Sequence, residues 1–193
     1  MIIMNSQNIL LVGVGGQGTI LASKLLAEVA LQSGLDVKMS EIHGMAQRGG
    51  SVVTHVKMGE KIHSPLVEKG DADIILAFEQ LEALRWLEYL KPQGEVIVSM
   101  QVIEPVPVIL GKAEYPQGIV DVLCSKVDKI TAVDALSIAS ECGNAKVSNV
   151  VMMGVLAQKM GFPQESWITS LNDKVPVKFL AENIQAFEKG FIL

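Results

Sequence analysis

The residues in this chain with most to offer chemistry are glycines. Gly13-Val14-Gly15-Gly16-Gln17-Gly18 follows the pattern G-x-G-x-x-G, directly after an apolar run at residues 8–12 and directly before a stretch of helical periodicity. Glycine lets the backbone turn tightly and come close to a ligand, and the free N–H groups of a helix start face an anion at the positive end of the helix dipole. Such a bend cradles a diphosphate, or it is an empty strand-to-helix turn that uses glycine for close packing. A second bend, His43-Gly44-Met45-Ala46-Gln47-Arg48-Gly49-Gly50-Ser51, lies between two strand-like runs. Arg48 offers a bidentate clamp for phosphate or carboxylate beside the amides of Gly49 and Gly50, or the bend is a structural turn with a surface arginine. In a doubly wound sheet both bends face the same crevice.

Other constellations are sparse. Glu41 follows Gly18 at about the twenty-residue interval at which an acid takes a nicotinamide cofactor's ribose hydroxyls, and it reads equally well as a solvated strand-end carboxylate. His43, His55 and His63 share no metal-ligand spacing, and no metal site is expected. Cys124 and Cys142 are read as buried thiols, not as a disulfide or an Fe–S ligand set. The sequence has no G-x-S-x-G elbow and no lysine after the first bend in the P-loop position. No catalytic residue is assigned, which favours a domain that holds part of a cofactor over one that runs a reaction alone.

The elements that must position these bends alternate along the chain. The run at 8–12 predicts a strand buried on both faces, and residues 17–32 a helix with Ile20, Leu21, Leu25, Val29 and Ala30 on one side. Strands are expected at 37–42 and 51–57, then a turn at Met58-Gly59-Glu60 into a short hairpin partner. Residues 73–78 predict a further buried strand, 80–90 a helix stopped by Pro92 and Gly94, and 95–100 a strand. Residues 106–110 predict an outer strand, because Pro105 and Pro107 cannot donate to a ladder. A helix near 118–127 and a strand near 130–133 complete an α/β, Rossmann-like, mostly parallel sheet with helices on both faces.

Beyond residue 135 only helical patterns occur, at 136–141, 147–160, 164–171 and 175–189. They predict a helical C-terminal portion, a cap or arm over 135–193, attached to the sheet of 1–134 within a single domain spanning 1–193. The 147–160 helix is apolar on nearly every side, so it belongs inside the protein or at a subunit contact.

Composition narrows the partners. Hydrophobic residues make up 49% and charged residues only 19% of 193, below the usual quarter, so apolar surface is expected to meet another subunit and the isolated chain to self-associate. A net charge of −5 with scattered lysines and arginines gives no footprint for nucleic acid. The stretch before Lys24 carries no charge but is too rich in Asn, Gln and Gly for a membrane span, and residues 1–7 lack a signal peptide's basic segment. A cytoplasmic location is expected.

Taken together, Val12 to Gly18, Gly44-Met45-Ala46-Gln47-Arg48-Gly49-Gly50-Ser51-Val52 and Ala72-Asp73-Ile74-Ile75-Leu76-Ala77 resemble the gamma-type domain of the 2-oxoacid:ferredoxin oxidoreductases over nearly the whole chain. Chain length and the M-A-Q-R-G-G form of the second bend are similar to the beta subunits of the indolepyruvate:ferredoxin oxidoreductases. The resemblance implies a complex that oxidatively decarboxylates an aryl 2-oxoacid, forms an acyl-CoA and reduces ferredoxin. It also implies that thiamine diphosphate and the Fe–S clusters sit on a larger alpha subunit, with no cofactor bound by this chain alone. Carried onto this sequence, Gly13, Gly15, Gly16, Gln17 and Gly18 would line one side of the crevice, and Gln47, Arg48, Gly49, Gly50 and Ser51 the other. Whether CoA or a segment of the partner enters it stays open.

Overall fold

The computed structural model describes residues 6–44 and 49–193. Six strands form one sheet: β1 (Gln7–Val14), β2 (Asp36–His43), β3 (Ser51–Gly59), β4 (Ala72–Ala77), β5 (Leu90–Ser99) and β6 (Lys129–Val133), in the order β2-β3-β1-β4-β5-β6. Pairing is parallel from β1 through β4 and β5 to β6, and antiparallel at β2–β3 and β3–β1. Only β3 is therefore reversed, and the sheet is mostly parallel as the alternation implies. The reversal has a simple cause. Residues 44–50 are too few for a crossover helix, which needs about a dozen residues, so β2 and β3 close as a hairpin.

Helix α1 (Thr19–Gln32) buries Ala22, Leu25, Leu26, Val29 and Ala30 against one sheet face and ends where Gly34 takes a φ of 83°. The opposite face is covered by α2 (Gln80–Arg85) and, beyond the one-turn α3 (Val106–Ile109), by α4 (Ile119–Lys126). The remaining helices, α5 (Ala135–Glu141), α6 (Ser148–Met160), α7 (Gln164–Lys174) and α8 (Val177–Phe191), join α1 in the other layer. The C-terminal portion, residues 135–193, supplies more than half of the buried side chains in that layer's core. Helix α6 is buried from Asn149 to Ala157, as its all-round apolar pattern requires. Among the described residues no helix is long and apolar enough to cross a membrane.

Four expectations need correction. No hairpin partner follows β3: in the loop at 60–71 the Ile62 amide is taken by Asp36 (2.8 Å) and the Val67 amide by His55 Nδ1 (3.1 Å), so side chains and not a ladder satisfy it. The helix at 80–90 stops at Arg85, gives way to a 3-10 turn at Leu87–Tyr89, and β5 already begins at Leu90. Pro92 pushes Lys91 toward extended backbone, and Gln93 adopts a φ of 70° at an irregular register. Residues 106–110 form α3 and not an outer strand, with Pro105 capping and Pro107 in the first turn, where no N–H is needed. The sheet edge beside β5 is taken by β6. Of the cysteines, Cys142 is buried as expected but Cys124 is exposed on α4.

His55, in the middle of β3, is 4% exposed, and burial pushes its pKa below the ordinary value of about 6.5. The unfolded chain accepts the proton more readily. The stability tied to neutral His55 is therefore complete above about pH 6.5 and lost as pH falls through the lower folded-state value. Thermal melts should show the midpoint falling between pH 7 and pH 5, by less in His55→Phe.

Candidate functional site

The first glycine bend and the described end of the second, Gly49 to Ser51, stand side by side at the rim formed by the C-terminal ends of β1 and β4. Gly15 donates its amide to the Gly50 carbonyl (2.8 Å), and the Gly49 amide donates back to Gly15 (3.3 Å), continuing the ladder beyond the Val14–Ser51 pair. Gly16 and Gly18 have φ values of 106° and 81°, a region closed to most side chains, so glycine is required there. Gly18 directly precedes the first turn of α1. Gln47 and Arg48 lie outside the described residues.

Gln17 has a role the motif does not announce: its carboxamide fills the inside of the bend. Oε1 accepts the Val14 amide (2.7 Å), and Nε2 donates to the Phe78 carbonyl (2.8 Å) and to Gln101 Oε1 (2.9 Å). A Cβ on Gly13 would stand 2.9 Å from Gln17 Oε1 and 3.2 Å from the Phe78 Cβ, so Gly13 makes room for these side chains. The amides of Val14, Gly15 and Gln17 are consequently spent within the protein. Those of Gly16, Gly18 and Thr19 take no partner among the described residues. The bend is half sealed, with Gly16 exposed and Thr19 buried.

On the far side of Gly18, the Asn149 carboxamide donates to the Gly18 carbonyl (3.3 Å) and would collide with any Cβ placed there. Asn149 also lines a groove of about 360 Å³ with Leu21, Val147, Val175, Phe179 and Asn183.

A buried acidic pair braces the rim from β4 and α2. Glu79, 1% exposed, caps α2 by accepting the Glu82 amide (2.9 Å) and also accepts the Ile103 amide (3.2 Å) and the Tyr115 hydroxyl. Glu82, 2% exposed, accepts the Ser51 hydroxyl and Arg85 Nη1 (2.7 Å). Burial pushes the Glu82 carboxyl upward, against the opposing pull of Ser51 and Arg85. Burial, and then the neighbouring Glu79, push the Tyr115 phenol well above its usual range. Ser51, expected to face the crevice, thus ties the second bend to α2.

The sequence reading missed Glu79, Glu82, Gln101, Tyr115 and Asn149. One signal was present: Glu79 stands between a buried strand and a helical pattern, where a capping acceptor belongs. Glu41 on β2 accepts the Thr54 hydroxyl of β3 (3.0 Å) and lies 2.6 Å from His43 on its own strand. With β3 between β2 and β1, it lies two strand spacings, about 10 Å, to the side of the first bend. It is not beside β1, where a dinucleotide's ribose would require it. Among the described residues no three His, Cys, Asp or Glu side chains converge to hold a metal.

Comparison with known proteins agrees with this architecture. The family model for pyruvate ferredoxin/flavodoxin oxidoreductase matches residues 8–193. A protein of Thermococcus kodakarensis named indolepyruvate oxidoreductase subunit IorB is 42% identical over 97% of this chain and 95% of its own length. Its namesake in Methanothermobacter thermautotrophicus is 40% identical over 95% of each chain. Among solved structures, the keto/oxoacid ferredoxin oxidoreductase gamma subunit of Geobacter sulfurreducens superposes with a TM-score of 0.71 at 25% identity, covering 96% of both chains. A sheet with one reversed strand, a paired glycine rim and full-length matches of this kind lead to one conclusion: the chain belongs to the pyruvate ferredoxin/flavodoxin oxidoreductase family, as a gamma-type domain.

Proposed function

We propose that this chain is the small subunit of a cytoplasmic 2-oxoacid:ferredoxin oxidoreductase acting on an aryl pyruvate of the indolepyruvate kind. In this assembly a larger companion holds thiamine diphosphate and the Fe–S clusters, which supply the decarboxylation and electron transfer. The small subunit closes one side of the shared site with its glycine rim, and the open amides at Gly16 and Gly18 receive an anionic group, either a CoA phosphate or a carboxylate of the companion. The observation that carries this reading is the rim itself: two bends joined by hydrogen bonds between Gly15, Gly49 and Gly50 and braced from below by Gln17, Glu79 and Glu82. Exposed apolar residues in the segment that leaves β5 at the rim, Met100, Val102, Val106, Ile109 and Leu110, each at least half exposed, support a companion docked there and self-association in its absence.

Reconstitution tests this. The isolated chain, given an aryl 2-oxoacid, CoA and ferredoxin, should reduce no ferredoxin, while addition of the purified companion should restore turnover. Ile109→Asp should lower co-purification with the companion at least tenfold. Turnover by the isolated chain, or full activity of the companion alone, would contradict the proposal.

A further inference from the structure

The β2–β3 hairpin carries a hollow that shares no residue with the first glycine bend. On the sheet face carrying Leu10, Val53 and His55, α2 lies over β1 and β4 and α4 over β6, so β2 and β3 have no helix above them. The loop at 60–71 and the turn after α2 border an open hollow of about 580 Å³, within the usual range of small-molecule sites, whose apolar lining is Ile42, Leu66, Val67, Trp86 and Tyr89. The Trp86 and Tyr89 rings stand 5.0 Å apart between centroids, and His55, also in the lining, is edge-on to both at 6.3 Å.

His55 fixes the polar chemistry of this hollow. Nδ1 accepts the Val67 amide, so in the neutral ring Nε2 carries the proton and is a donor. That donor has no partner among the described residues. It is also absent from the set of fully enclosed, unpartnered polar atoms, Gln7 Oε1, Asn8 Oδ1 and Trp167 Nε1, so it retains contact with the open space. Lysines at the mouth are already matched: Lys57 with Asp71 (3.4 Å) and Lys69 with Glu88 (2.9 Å). The mouth therefore makes no demand for a strong anion.

We infer that this hollow is a binding site for a small planar aromatic molecule bearing one hydrogen-bond acceptor, its ring against Trp86 and Tyr89 and its acceptor on His55 Nε2. Naphthalene, quinoline and isoquinoline share one shape and differ in an acceptor nitrogen, so they isolate the His55 contribution. Titrations followed by the NMR shifts of the Trp86 indole and the Val67 amide, on the full chain and on the complex with its companion, should show saturable binding. The better of the two nitrogen heterocycles should bind about fivefold tighter than naphthalene, the effect of one neutral hydrogen bond. His55→Phe should erase that preference. Leu66→Trp, at a position 52% exposed and so harmless to folding, should fill the space and weaken all three at least tenfold. Absence of saturable binding, a preference that survives in His55→Phe, binding unaffected by Leu66→Trp, or exclusion of the probes by the bound companion would each overturn the site.

Discussion

Gly190→Ala is expected to destabilise the protein by about 3 kcal/mol, lowering its melting temperature by on the order of 10 °C, and Gly190→Val to prevent folding. The cause is the crossing of α6 and α8. A Cβ on Gly190 would run into the Val151 carbonyl, and one on Gly154 into the Phe187 carbonyl, so backbone meets backbone at the heart of the helical layer. Neither element can retreat, because α6 is buried along most of its length and α8 is held by Ala186 and Phe187. Gly154→Ala should behave alike. Gln185→Ala, on the exposed side of α8, should change stability by less than about 0.5 kcal/mol in the same thermal melts.

The second large effect falls on activity. Gln17→Leu leaves the Val14 amide, the Phe78 carbonyl and the Gln101 carboxamide without their shared partner, at a cost of about 1–3 kcal/mol per buried group. The first bend then loses its support while the helices keep theirs. The assembled enzyme should lose at least tenfold in kcat/KM for the 2-oxoacid, and the melting temperature should fall by on the order of 10 °C. Gln17→Glu is the sharper variant. Its carboxylate still accepts from Val14 but sets an acceptor against the Phe78 carbonyl in place of a donor, so activity should stay well below that of the parent.

Much of this molecule was legible in its sequence, and the failures have identifiable causes. The G-x-G-x-x-G run, read in its strand-to-helix context, located the first bend, and the all-round apolar 147–160 stretch announced a helix with no exposed side. Hydrophobic periodicity does not encode which strands pair, so the insertion of reversed β3 between β1 and β2 went unread. The shortness of residues 44–50 held that information, since no crossover fits there. Pro105 and Pro107 are equally at home on a sheet edge and in a first helical turn; the choice was made by β6, which occupies the edge. The braces Glu79 and Glu82, both at the start of α2, and Gln101 and Asn149 come from three separate segments, so only the fold brings them together at the rim. The same holds for Gln17, which the motif presents as one more ligand-facing position and the structure turns inward.

A rim that assembly and ligand use must change its solvent contact when they bind. Amide hydrogen exchange at Gly16, Gly18 and residues 49–51 reads this directly, in the isolated chain, in the complex with its companion, and in the complex with CoA. Exchange at Gly16 and Gly18 is expected to slow at least tenfold on assembly, or on assembly with CoA, while Gly111 and Gly143 keep their rates. Unchanged exchange at the rim in both states, in a complex that turns over, would contradict the account.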